Sequence, residues 1–245
     1  MPCSLDQAKR QLLDSIRDRR ADHERPFPYH VVTDPVAAPL REDLRALPAA
    51  SRAMTGARSD GNDSRFYFNP SVRAAHRPAD MLARVFQDRD VVAALAAASG
   101  ALLKSAYLLM ELACDCGVSE LHPHRDLGVK RFTGLFYLSD DPKLADARTD
   151  LYTPKPDRAA RISAAVAQGR DPDRADFEQA TARPPHGARF GYFFTPSDVS
   201  WHGFDRRPLN GLRQTIIVNY LGPAASGETY RNVQNLAFPD EPISL

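Results

Sequence analysis

After Gly100 the chain changes character, and that change narrows the folds open to it. "LLKSAYLLMELACD", "KRFTGLFYLS", "TDLYT", "ARFGYFFTP", "VSWHGF" and "LRQTIIVNYLG" are rich in β-branched, aromatic and leucine residues, with turn residues between them. Short strands spaced in this way favour an antiparallel sandwich or barrel over βαβ units. Before Gly100 the patterning is mostly helical. Ser4 and Gln7 form a capping box for a helix ending near Arg20, and "APLREDLRALP" carries a second helix. Pro78 to Ser99 reads as a third, which stops at Gly100, a residue suited to a helix C-terminus. Two β-rich runs, Tyr29 to Thr33 and "RFYFN", interrupt these helices, and Ser51 to Ser64 reads as a polar loop. The expected class is α+β with a mainly β core and flanking N-terminal helices.

The length suits a single domain over residues 1–245, with a mostly helical support region at 1–100 and the β core at 101–245. Pro154 to Gly187 differs from its surroundings. It is charged and helix-prone, with prolines at both ends, and much longer than an ordinary connection between strands. It reads as a helical, lid-like insertion between two core strands.

At a formal net charge of +1, no global field draws the chain to nucleic acid or an anionic membrane. No apolar run approaches the roughly 18 residues of a membrane span. The N-terminal stretch is charged and amphipathic and lacks an apolar signal-peptide core, so a cytoplasmic location is expected. Cys3, Cys114 and Cys116 cannot all pair within one chain, which suits a reducing compartment. Cys114 and Cys116 have no second cysteine pair with which to complete a zinc site, so they read as plain thiols.

Ser119 to Asp141, "SELHPHRDLGVKRFTGLFYLSDD", places His122, His124 and Asp126 ahead of a strand-like run. In extended chain, residues two apart point the same way. His124 and Asp126 have that spacing, and two imidazoles with one carboxylate can hold one face of a metal while leaving the other open. A His-x-Asp alone is a weak signal in a chain with seven histidines. The second half of the sequence strengthens it. In "VSWHGFDRRPLNGLRQTIIVNYLG" His202 is expected at the end of one strand, and Arg213 follows eleven residues later at the start of the next. A hairpin between those strands would bring the arginine beneath the metal. A buried guanidinium needs an anion, for which a bidentate carboxylate is the natural partner, and Thr215 faces the same side with a hydroxyl to offer. His122 stands beside the pair, Arg65 at a loop-to-strand junction, and Asn219 on the strand face of Arg213. These three are the candidate substrate-binding residues, with Arg65 suited to a substrate carboxylate. His23, His30, His76 and His186 have no motif partners and read as surface or structural. Trp201 faces away from its neighbour His202 and reads as packing.

Together, His124-x-Asp126, His202 and Arg213-x-Thr215 resemble the iron(II)/2-oxoglutarate-dependent oxygenase superfamily. "KRFTGLFYLSDD" is similar to the Arg-x-x-Thr-x-Leu-x-Tyr-Leu-Asn run of prolyl-4-hydroxylase-like members. "PFPYHVVTDPV" and "NLAFPDEP" are similar to stretches of bacterial members, and the likeness runs from about Pro26 to Pro242. The resemblance implies a double-stranded β-helix, or jelly roll. It implies Fe(II) on His124, Asp126 and His202, 2-oxoglutarate with its distal carboxylate on Arg213 and Thr215, and O2 as oxidant. Halogenating members carry Gly or Ala in place of the carboxylate, so Asp126 implies hydroxylation or another oxygen-dependent C–H reaction. The expected reaction is hydroxylation of a C–H bond in a small polar metabolite (an amino acid, a derivative or a natural-product intermediate), with release of succinate and CO2. Two readings stay open: the same chemistry on a protein or peptide side chain, and a metal-binding jelly roll that is not an oxygenase.

Overall fold

A computed structural model describes residues 3–19, 21–48, 63–126, 128–222 and 235–245. Its helices are α1 (Leu5–Arg17), α2 (Ala38–Arg45), α3 (Pro70–Ala75), α4 (Arg77–Gln87), α5 (Arg89–Ser99) and α6 (Ala159–Ala167). Its strands are β1 (Ala21–His23), β2 (Tyr29–Thr33), β3 (Asp63–Tyr67), β4 (Tyr107–His124), β5 (Lys130–Tyr137), β6 (Asp150–Leu151), β7 (Phe190–Phe194) and β8 (His202–Leu221). The loop expected at Ser51 to Ser64 lies, apart from its last two residues, outside the described residues. No helix among the described residues is long and apolar enough to cross a membrane.

All strand pairs are antiparallel, in the order β1-β2-β7-β5-β8-β4-β3, with β6 also on β8. The long strands β4 and β8 organise this sheet. They run together from the Tyr107–Leu221 pair to the His124–His202 pair, but the second neighbour of β8 changes along its length. Its C-terminal half lies against β5, and its first residues lie against β6. Between the halves the register with β4 slips at Asp115/Gly117, where Gly117 has φ +73, a backbone conformation that favours glycine. The paired strands therefore turn a corner from one layer into the other, as in a jelly roll. This arrangement corrects the sequence reading at one point. His202 opens β8 rather than ending a separate strand, and no hairpin intervenes before Arg213. Both residues belong to one strand that bends.

The 1–100 region lends β1, β2 and β3 to the two edges of the sheet; β2 and β3 fall at the two expected β-rich runs, and β1 was not expected. The side chain of Ser4 accepts from the backbone N–H of Gln7 at 3.1 Å and so caps α1. The expected helix at Pro78 to Ser99 is two helices. Asp88 breaks it with extended backbone, and its carboxylate caps α5 by accepting from the N–H groups of Asp90 and Val91. Gly100, at φ +71, ends α5 as its position predicted.

Strand alternation divides the core. Phe132 and Phe136 of β5, Phe193 of β7, and Ile216, Val218 and Tyr220 of β8 point to one face and pack against α1, α2, α4 and α5. Each such buried side chain contributes about 1.5–3 kcal/mol of burial free energy. Residues of the opposite parity face the barrel interior, where Phe27, Tyr29, Leu135, Tyr137, Tyr192 and Phe194 form a second cluster. Arg213, Thr215 and Asn219 share this parity, so these three side chains face away from the helices, whereas Gln214, of the other parity, donates to the Arg45 carbonyl of α2 at 3.1 Å.

The 154–187 insertion is only partly helical, with α6 flanked by short 3-10 turns at Pro156–Arg158 and Arg174–Asp176. It is docked rather than loose. Ile162 and Phe177 pack with Tyr152 and Trp201 in a small core of their own. Arg174 pairs with Asp205, at the start of β8, and Arg183 pairs with the fully buried Asp150 at 2.6 Å.

Candidate metal centre

Two imidazoles and a carboxylate meet where β4 ends and β8 begins. His124 is the last residue of β4 and His202 the first of β8, and the register pairs them directly. Their ring centroids lie 4.4 Å apart. The two strands approach closely here, since a Cβ on Gly203 would collide with the carbonyl oxygen of Leu121. Asp126 follows on the turn into β5. One ligand atom from each of His124, Asp126 and His202 lies within 4.8 Å of the other two, a spacing that suits a single ion.

Hydrogen bonds orient all three groups. His124 donates Nδ1–H to the carbonyl of His122 at 3.0 Å, and His202 donates Nδ1–H to the carbonyl of Ser200 at 2.9 Å. Each bond fixes the tautomer that leaves Nε2 as the lone-pair donor. Burial pushes the pKa of His124 down to about 3, with His202 adding to the effect, so the ring is neutral as a ligand must be. Burial alone would raise the Asp126 carboxyl. Lys130 and the two imidazoles outweigh it and hold the carboxyl below the usual carboxylate range. Lys130 Nζ donates to Asp126 Oδ1 at 2.6 Å, and Thr133 Oγ1 donates to Oδ2 at 2.5 Å.

The substrate-binding candidates stand as follows. Asn219 is buried, with its side-chain amide 3.1 Å from Thr133 Oγ1. Thr133 has one hydroxyl proton, and Asp126 takes it at the shorter distance. With its amide turned, Asn219 donates to the same oxygen, and the series Asn219–Thr133–Asp126 is satisfied. The imidazole of His122 is exposed, 3.8 Å from Glu120, while its carbonyl serves His124. Arg65 is buried, with Glu111 at 3.5 Å. Trp201 packs under the insertion, 5.0 Å from the ring of Phe177, and the Arg125 guanidinium lies over it at 4.9 Å.

Deeper in the barrel, Arg213 is buried between the rings of Tyr137 and Phe204, 5.4 and 5.6 Å away. It donates Nε–H to the Ala147 carbonyl at 2.9 Å and pairs with Asp115, its register partner on β4. The chain itself thus supplies an anion for Arg213. Sequence reading missed this pair. The signal was Asp115 and Arg213 on antiparallel neighbours, and it needed the register. Around the arginine, buried hydrogen-bonding atoms stand without partners among the described residues: Thr215 Oγ1 and His186 Nε2. Tyr192 OH faces Thr149 without a well-formed hydrogen bond. Buried polar atoms are nearly always satisfied in folded proteins, so donors gathered beside a guanidinium fit an incoming anion. His186, read as surface or structural, belongs to this group, its ring 4.5 Å from that of Tyr137.

A cavity of about 530 Å³ opens beside Asp126, lined also by Lys130, Trp201, Pro196 and, from the insertion, Val166 and Arg170. The insertion thus walls the space next to the metal-binding groups.

No family model matches the sequence, and no curated protein does. Solved structures do match by shape. A prolyl 4-hydroxylase from Phytophthora capsici superposes with a TM-score of 0.53 at 13% identity, covering 95% of this chain and 72% of that one. A prolyl hydroxylase from Trichoplax adhaerens, solved with a peptide fragment of hypoxia inducible factor, gives 0.50 at 10% identity, covering 89% and 90%. HygX from Streptomyces hygroscopicus, with nickel and 2-oxoglutarate bound, gives 0.47 at 14% identity, covering 79% and 82%. At such identities the likeness speaks for the fold alone: this chain shares the jelly-roll fold of the two prolyl hydroxylases. His124, Asp126 and His202 form a group that could hold a metal ion.

Proposed function

We propose that this protein is an Fe(II)- and 2-oxoglutarate-dependent oxygenase that hydroxylates a C–H bond of a small polar molecule, with release of succinate and CO2. The observation that carries the reading is the convergence of His124, Asp126 and His202 ligand atoms within 4.8 Å, with both imidazoles already held by backbone carbonyls. Three protein ligands on one face leave the opposite face for co-substrate, oxygen and substrate. When bound, the iron and co-substrate supply the oxidising chemistry that no side chain of this protein has.

The protein's own part is to bind, orient and exclude. Thr133 and Lys130 hold the Asp126 carboxylate in the orientation that faces the two imidazoles. Arg213 and Thr215, with unsatisfied donors around them, receive the distal carboxylate of 2-oxoglutarate. The docked insertion and Trp201 close one side of the cavity and shield the reaction from water.

The cavity also bears on the substrate. Its volume of about 530 Å³ is typical of small-molecule pockets, and the wall built by the insertion restricts an extended chain. The matching prolyl hydroxylases keep a protein or peptide side chain as the second reading. One screen separates the readings. The iron(II)-loaded protein is given 2-oxoglutarate, ascorbate and O2 with a panel of amino acids, polar metabolites and proline-containing peptides. Succinate with a mass gain of one oxygen on a small molecule supports the first reading, and the same gain on a peptide supports the second. If 2-oxoglutarate is never consumed, even uncoupled from substrate, the oxygenase reading falls.

A further inference from the structure

His186 lies far from the metal motif in sequence, at the end of the 154–187 insertion. Gly187 follows it at φ +124, a conformation that a side chain would strain, and this turn leads the chain from the insertion into β7. The His186 ring stacks at a tilt on Tyr137, 4.5 Å between centroids. Tyr137 is the register partner of Thr215, and its ring also contacts Arg213. Thus side chains from the insertion and from β8 both meet the Tyr137 ring of β5. Among the described residues, Nε2 of His186 and Oγ1 of Thr215 are buried there without hydrogen-bond partners.

The charge count around Arg213 gives His186 a purpose. Asp115 already neutralises the guanidinium. A second carboxylate entering this interior would face a pair of net charge zero, and burying it requires further donors. Thr215 supplies one hydroxyl. Neutral imidazole with its proton on Nε2 supplies another. Burial, then Arg213 and Arg148, hold the His186 pKa down to about 3, which agrees with a neutral donor beside cations.

We infer that His186 is a co-substrate-binding residue: it donates to the distal carboxylate of 2-oxoglutarate alongside Arg213 and Thr215. This rests on the proposed oxygenase reading and extends it. The insertion then does more than wall the substrate cavity, because one end of it touches the co-substrate. Co-substrate binding would pin the insertion through His186 before substrate arrives.

The test is calorimetric titration of 2-oxoglutarate into anaerobic, iron(II)-loaded protein, with no turnover required. His186→Ala should weaken binding roughly tenfold or more, the effect of a lost hydrogen bond to a charged group. His186→Gln, which keeps an N–H donor, should recover part of it. Titration of 2-oxobutyrate, which lacks the distal carboxylate, should show no difference between wild type and His186→Ala. In wild type, 2-oxoglutarate should also slow proteolysis within 154–187, and in His186→Ala it should not. Arg213→Ala separates the two levels of the argument. If Arg213→Ala loses 2-oxoglutarate and His186→Ala binds it normally, the inference fails and the oxygenase reading stands. If iron-loaded wild type does not bind 2-oxoglutarate, both fall. Equal loss of 2-oxobutyrate and 2-oxoglutarate in His186→Ala also overturns the inference, since the residue would then be shaping the site generally.

Discussion

The hydroxyl of Thr133 donates to the carboxylate of Asp126 at 2.5 Å, across the turn that separates Asp126 from the first core strand after it. Thr133 is fixed by its place on β5, between β7 and β8, so the bond ties the orientation of Asp126 to the rigid sheet. Thr133→Val preserves shape and removes the donor. Iron(II) affinity should fall about 10- to 100-fold, the usual effect of losing a group that orients a ligand. Asn219→Ala, acting one bond further away, should have a smaller effect. Calorimetry with manganese(II) as a redox-stable probe measures both, and unchanged affinity in Thr133→Val would show that Lys130 alone suffices to hold the carboxylate.

Metal binding itself should depend on all three ligands. His202→Ala and Asp126→Ala are expected to abolish 2-oxoglutarate consumption, and chelation of wild type should do the same reversibly. Activity restored by iron(II) but not by zinc(II) would agree with the proposal. A His202→Ala protein that still turned over 2-oxoglutarate would sink the ligand assignment.

Arg213 and Asp115 form a buried pair, so their removal should be read in stability as well as binding. Arg213→Ala should destabilise the fold by roughly 3–5 kcal/mol, because it strands a buried carboxylate. Adding Asp115→Ala should restore part of this, giving the non-additivity expected of residues in contact. Affinity for 2-oxoglutarate should stay low in the double variant, since the guanidinium is missing in both. Denaturant titration and calorimetry on the same three proteins separate the two effects. Simple additivity of the stabilities would argue against the pair.

The docked insertion predicts a local opening. Phe177 is buried against Tyr152 and Trp201, and this small cluster is separate from the main core. Phe177→Ala should therefore speed amide exchange and proteolytic cleavage within 154–187 far more than in β4 or β8. If exchange rose equally throughout, the insertion would be part of one cooperative unit with the barrel.

Acid should destabilise the protein in a defined window. The pKa of His186 is lowered from 6.5 to about 3 by burial first and then by Arg213 and Arg148. Between those values the unfolded chain takes up a proton that the folded one does not, so stability is present above about 6.5 and drains away as pH falls toward 3. His186→Gln should flatten part of that slope. Chemical denaturation of metal-free wild type and variant across this range tests it, and parallel slopes would contradict a buried neutral His186.

Local order in the sequence was enough for part of this picture. The switch from helical patterning to short strands at Gly100 indicates the architecture, since periodicity is a local property. His124 and Asp126 are two apart on extended chain, so strand geometry alone aims them together. The tertiary structure decided what depends on pairing at a distance. Asp115 meets Arg213 only because β4 and β8 share one register and turn one corner together, and a hairpin had seemed necessary where a bent strand serves. Arg65 carries the charge of a substrate anchor, yet lies buried beside Glu111 on the neighbouring strand. Asn219 has the right parity for the site, and the fold places it behind Thr133. His186 had no motif to mark it, because its meaning comes from a 4.5 Å contact with Tyr137 on a strand some fifty residues earlier. Spacing along a strand is written in the chain; which strand lies beside it, and which buried charge is already neutralised there, follows from packing the whole sheet.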